Sequence, residues 1–295
     1  MIPFHTQTLG RLGIAGAPDR QAMAALELRA QALGIRFPAS FVAWFGMQNG
    51  MELLRTHSNC DAPVALEDLG APTSWAWGEK RDWLRESNHL VFMRENQDAC
   101  AWAIPLDGSD DPPVVVSPDP VGPCPCGPAV SRDAAPREFA GGRERTGPWL
   151  PCAESFSTFV ACQVWDHTAI WQEPTFHETD PILLQAQATP LTERDLAFLR
   201  ERFDEGPTTS GWPGTQYRFS RAGLSPRNFP RSGDAGDGGR VLLIATPDQT
   251  DWWFTADDAA TLTALAQELW DCADLRTSAW SNEPRGEELL ERLRA

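Results

Sequence analysis

Seven cysteines, five histidines and two adjacent carboxylate pairs are the residues of this chain whose types and spacing could do chemistry. Cys124-Pro125-Cys126 is the best metal candidate, with Cys100 and Cys152 able to complete a set in three dimensions. Zinc ligands usually come as Cys-x2-4-Cys with a second pair at a distance. Here one proline separates the two thiols and no histidine lies nearby, so free loop thiols are the simpler expectation. His5, His57, His89, His167 and His177 fall in no zincin pattern and near no glycine-flanked serine. His177-Glu178 is not followed by the Pro-Cys-x-x-Cys of a zinc deaminase. Gly233–Gly239 lacks the lysine and the following helix of a phosphate-binding loop. Asp110-Asp111 and Asp257-Asp258 are adjacent carboxylates. General acid–base work needs a suitable separation and a shifted pKa. Neighbours in a loop or at a helix start more often serve solubility or capping. A Ser-His-Asp triad can be assembled from distant positions, but nothing here favours one. No metal, cofactor or catalytic set is therefore assigned.

Charge narrows the partner class. The chain has 295 residues and a formal net charge of -16. Nucleic-acid binding needs clustered Lys and Arg to displace counterions, and the densest basic run is only Arg143-Glu144-Arg145. A basic protein partner is the better electrostatic match, because complementary charge speeds encounter and sharpens specificity. Acidity for solubility alone is the competing reading. Two long stretches lack any Lys or Arg. Glu95 to Ser131 carries Glu95, Asp98, Asp107, Asp110, Asp111 and Asp119; Val241 to Leu275 carries Asp248, Asp251, Asp257, Asp258, Glu268, Asp271 and Asp274. The second stretch is expected to be a solvated face. No segment is apolar over the roughly 18 residues a membrane span needs. Met1 to Arg11 lacks a signal-peptide pattern, so a cytoplasmic location with reduced thiols is expected.

Periodicity outlines the elements that must position these residues. Residues 1–17 read as an irregular lead-in. Asp19 can cap a helix to Leu33, with Met23, Leu26, Ala30 and Leu33 on one apolar face and Gly34 as its stop. Pro38 suits the first turn of a second helix carrying Phe41, Trp44 and Phe45, and Asn49-Gly50 reads as a turn. Leu90–Met93, Ala101–Ile104 and Val114–Val116 are short apolar runs split by polar turns, which fits an antiparallel meander. Pro118–Pro151 reads as a long loop. A helix begins at Ser155. Residues 172–190 read as a linker, and Thr192-Glu193-Arg194-Asp195 as a capping box. Strands are expected at Gln216–Ser220, Val241–Thr246 and Asp251–Thr255, then a helix through Leu262, Leu265 and Leu269, and a polar helix near Glu287–Arg294. Thirteen tryptophans accompany one tyrosine. In Trp75-Ala76-Trp77 and Trp252-Trp253 the rings call either for a sheet covered on both faces or for an exposed anchor.

The run from Leu33 to Gly50 resembles the opening motif of the SUKH superfamily: a helix, then Pro38, an aromatic at Phe41 and Asn49-Gly50 at the end of a second helix. Leu90–Glu95, Ala101–Leu106 and Pro113–Ser117 are similar to the family's strands, and Ser155–Trp165 to its Phe-rich closing helix. The likeness covers residues 20–170. It implies an α+β domain with a curved antiparallel sheet over residues 1–171, followed by an α+β region of unassigned role over 172–295. It also implies a non-catalytic protein that neutralises a cognate toxin, often a nuclease. On that reading the partner-binding residues are Glu95, Asp98, Asp107, Asp110 and Asp111, with Trp102 as the aromatic anchor. The alternatives are a regulatory or scaffold protein of the same fold, and a hydrolase-type enzyme with its site between the two halves.

Overall fold

In the computed structural model the described residues are 4–72, 81–96, 100–118, 149–171, 181–210, 214–221 and 238–294. They form a mixed α+β structure built on two antiparallel sheets. Four short helices open the chain: α1 (Thr6–Leu12), α2 (Arg20–Leu33), α3 (Ala39–Phe45) and α4 (Gly50–Thr56). The capping residues fix α2. Asp19 accepts hydrogen bonds from the Gln21 and Ala22 amides, and Gly34 stops the helix in the left-handed region at φ 66°, which glycine reaches without a Cβ clash. The expected irregular lead-in is corrected, since α1 occupies part of it. The Asn49-Gly50 turn is corrected in part: Asn49 is left-handed at φ 58°, but Gly50 already starts α4.

Sheet one runs β1 (Ala62–Pro63), β2 (His89–Arg94), β3 (Cys100–Pro105), β4 (Val114–Pro118) and β5 (Leu150–Ala153), in chain order. A five-residue helix, α5 (Trp83–Ser87), precedes β2. Side chains alternate across a strand, and both faces are covered. Leu90, Phe92, Trp102, Ile104, Val114 and Val116 join the helices in one core. Val91, Ala101 and Ala103 lie beneath Trp83 on the other face. The rings of Phe37, Phe41, Phe45, Phe92 and Phe156 are in mutual contact with centroids 4.5–6.3 Å apart.

Sheet two has the order β6-β11-β10-β9-β7, from β6 (Ile182–Ala188), β7 (Asp204–Glu205), β9 (Thr215–Ser220), β10 (Arg240–Ala245) and β11 (Thr250–Ala256); β8 (Thr209–Ser210) pairs with β9. Strand β6 lies within the stretch expected to be a linker. Its Ile182, Leu184 and Ala186 alternate into the core beside Trp252, Phe254, Val241 and Leu243. That face is covered by α7 (Glu193–Arg202), α8 (Ala259–Cys272) and α9 (Pro284–Arg294). The capping box at Thr192 and Asp195 opens α7 as the sequence predicts.

Helix α6 (Phe156–Ala169) joins the two sheets. Its Phe156, Phe159, Val160 and Val164 pack into the core of sheet one. Its Trp165 and Ala169, with Ile170 just beyond, pack against Leu242 and Ile244 on the second face of sheet two, beside Trp253 and Trp171. Trp252 and Trp253 thus point to opposite faces, and both are covered. Trp75 and Trp77 lie outside the described residues. No helix among the described residues is long and apolar enough to cross a membrane.

Candidate functional site

The turn between β3 and β4 carries three of the acidic residues singled out from sequence. It is held by its own side chains. Asp107 accepts from the Ser109 amide at 2.9 Å, and the Ser109 hydroxyl accepts from the Asp111 amide at 3.2 Å. Gly108 sits at φ 93°, a region L side chains rarely adopt. The turn is then pinned to the helices. The Ser40 amide at the start of α3 donates to the Asp110 carbonyl at 2.8 Å, and the Phe156 amide at the start of α6 donates to the Pro112 carbonyl at 2.7 Å. Arg36 reaches across to the Gly108 carbonyl at 2.9 Å and the Asp110 carboxylate at 3.1 Å.

The three acids consequently differ in role. Asp107 and Asp110 are exposed. Asp111 is half-buried and takes hydrogen bonds from the Ser157 amide at 3.0 Å and the Ser157 hydroxyl at 2.5 Å. It serves the positive end of α6, which corrects its assignment to a partner-facing surface. Asp258 similarly caps α8, accepting from the Ala260 and Thr261 amides at 2.9 Å, while Asp257 pairs with Arg240. Both carboxylate pairs are thus engaged in capping and ion pairing.

Two further assignments are corrected by burial. Trp102 is 5 % exposed and packs against Phe159 with centroids 5.8 Å apart, so it is a core residue of β3 and no surface anchor. Glu95 is 6 % exposed at the end of β2. It lies beside the buried Asp61, which sequence reasoning missed. Burial is the main cause that pushes the Asp61 carboxyl up to about 8; the Asn96 amide opposes it and the Glu95 charge adds to it. Asp98 lies outside the described residues. The carboxylates expected to form one surface are therefore separated into an exposed pair at 107 and 110 and a buried one at 95.

The space between the sheets is filled by a buried ion pair. Arg218 on β9 donates from Nε and Nη2 to both oxygens of Asp166 on α6, at 2.7 and 2.5 Å. Its Nη1 donates to the Pro207 carbonyl at 3.1 Å and the Thr209 hydroxyl at 3.0 Å, and Nη2 also meets Gln216 Oε1 at 2.9 Å. Arginine has five N–H donors in a fixed fork, and this environment engages all of them. Burial, the largest single effect, disfavours the guanidinium, but the charge and hydrogen bonds of Asp166 together with the Cys162 and Cys152 sulfurs outweigh it and keep Arg218 above its ordinary value. Burial also pushes the neighbouring thiols up, Cys152 to about 12 and Cys162 to about 11. Thiols held that far above neutrality are poor nucleophiles. The arrangement is suited to joining elements and offers no open position to a substrate.

Cys100 and Cys152 are buried, while Cys124 and Cys126 lie outside the described residues. His57 and His167 approach with ring centroids 6.0 Å apart. Among the described residues no group of three or more His, Cys, Asp or Glu could hold a metal ion. A groove of about 560 Å³ lies along α2, with Met23, Ile35, Phe37 and Val42 on its apolar lining and Arg20 and Arg36 at its edge. No family model, curated protein or solved structure matches the chain.

Proposed function

We propose that this chain is a non-catalytic binding protein, an immunity protein that neutralises a cognate bacterial toxin in the cytoplasm by direct contact through an acidic surface. The observation that carries this reading is the β3–β4 turn. Asp107 and Asp110 project from a loop already tied to the starts of two helices. A preformed loop loses little conformational freedom on binding, and its exposed carboxylates, Asp107 foremost because Asp110 is shared with Arg36, steer a basic partner toward it. The net charge of -16 acts in the same sense at longer range. The likeness of residues 20–170 to the SUKH superfamily supports a partner that is a toxin domain, with a basic nuclease cleft as the fitting target.

The test uses the full chain and a toxin domain taken from a gene neighbouring its own; the absence of any such gene counts against the reading. The wild-type protein is expected to form a stoichiometric complex and to rescue growth on co-expression. The Asp107→Lys/Asp110→Lys variant should raise the Kd about tenfold or more, mostly through slower association at low salt. If the purified pair forms no complex and co-expression gives no rescue, the reading fails.

A further inference from the structure

The apolar face that the sequence lays out on α2 is wider than the core that covers it. Leu26 is buried, but Met23 is 41 % exposed and Leu28 is 66 % exposed. They are two of the four large hydrophobic side chains left exposed among the described residues. Arg20, Met23, Ala24, Glu27 and Gln31 follow at helical spacing and all are exposed. They form a stripe in which Arg20 and Glu27 flank Met23 and Ala24 along the helix axis, and these four residues line one side of the groove along α2.

The charges on this stripe are self-complementary. Neither Arg20 nor Glu27 makes an ion pair among the described residues; Glu27 has only a 3.5 Å contact from Gln31. Seven residues separate them, two turns and about 10 Å along the axis. A second α2 laid antiparallel across a two-fold axis between Met23 and Ala24 would set each Arg20 against Glu27 of the other copy. It would also seat each Met23 on the small Ala24 of the other. This is the condition for an isologous contact, in which residue i meets j and j meets i. A parallel copy would instead place like charges together.

We infer that α2 is a homodimer interface, occupied by α2 of a second copy of this chain. The groove beside it accepts the flanking side chains of that helix. A single helix pair covers less than the roughly 800 Å² per partner of a standard interface, so the dimer is expected to be weak and concentration-dependent. This reading does not depend on the toxin-binding proposal, because it uses neither Asp107 nor Asp110.

Sedimentation velocity of the full chain from about 1 to 200 µM should show a monomer–dimer equilibrium. Arg20→Glu and Glu27→Arg should each weaken it about tenfold, since each creates two like-charge contacts. The double exchange Arg20→Glu/Glu27→Arg should restore it, because the stripe remains self-complementary. Met23→Asp should leave a monomer; circular dichroism checks its fold, and the two exposed charge variants carry the test if it misfolds. A monomer at every concentration overturns the inference. So does a dimer that the single charge reversals leave unchanged, or one that the double exchange does not restore.

Discussion

The Asp166–Arg218 pair is the most consequential contact between single residues. Both side chains are almost wholly buried, at 2 % and 1 % exposure. Each charge is therefore tolerated only because the other is present. Removing one partner of such a pair costs about 3–5 kcal/mol, whereas replacing both by apolar residues of similar size is often near neutral. Asp166→Ala should destabilise the protein by that amount in urea unfolding. The double variant Asp166→Leu/Arg218→Met should recover most of the loss. Nothing local in the sequence announces this pair, because 52 residues separate its members. Glu95 and Trp102 illustrate the converse. The toxin-binding reading put both on a partner-facing surface, although the period of its strand already fitted Trp102 to a buried position; Trp102 lies in the core of sheet one and Glu95 is buried just past β2. Exposure depends on what packs above a strand, and that information lies elsewhere in the chain.

At the scale of elements, helices with caps were readable and elements held by distant contacts were not. Asp19 with Gly34, Ser155, and Thr192 with Asp195 all mark helix ends in the structure. The runs at 90–93, 101–104 and 114–116 became β2, β3 and β4. Helix α1 has a short pattern and no side-chain cap at its start, although Gly13 closes its end in the left-handed region at φ 68°; it is fastened by His5, which is fully buried. The His5 Nε2–H donates to the Ser40 carbonyl at 2.8 Å, with Trp44 and Phe156 at its ring edges. Burial lowers its pKa from 6.5, against the raising effects of the Ser40 carbonyl and Asp111. The unfolded chain therefore takes up this proton more readily than the folded one. The stability His5 contributes is present above about pH 6.5 and is lost as pH falls toward its lower folded value. Protection factors over residues 6–12, corrected for the intrinsic pH dependence of amide exchange, should fall between pH 7 and pH 5, while those in β3 should change far less.

For the molecule as a whole, α6 decides how the two halves relate. The sheets lie on either side of the boundary expected at 171/172, but α6 contributes side chains to both cores. Strands β5 and β8, at the facing edges of the two sheets, also approach each other. The full chain should therefore unfold in one cooperative transition. A fragment of residues 1–171 would expose Trp165, Ile170 and Trp171 and leave Asp166 without its arginine. It should be destabilised and prone to aggregate, with no cooperative melt, as calorimetry and light scattering would register. The individual helices and the meander were legible from periodicity, and the α+β class is what the family resemblance implied. The shared helix was not, because a helix apolar around most of its circumference predicts burial without saying which layers bury it.

Helix α6 also has a consequence during synthesis. The ribosome delivers sheet one and α6 first, and sheet two is complete only at Ala256. At about 5–20 residues per second the nascent chain waits on the order of 4–17 s for the strands that will cover Trp165 and Ile170. Throughout that interval an aromatic and aliphatic patch, with an unpaired carboxylate in its midst, stays open to solvent before it ever meets its own second half.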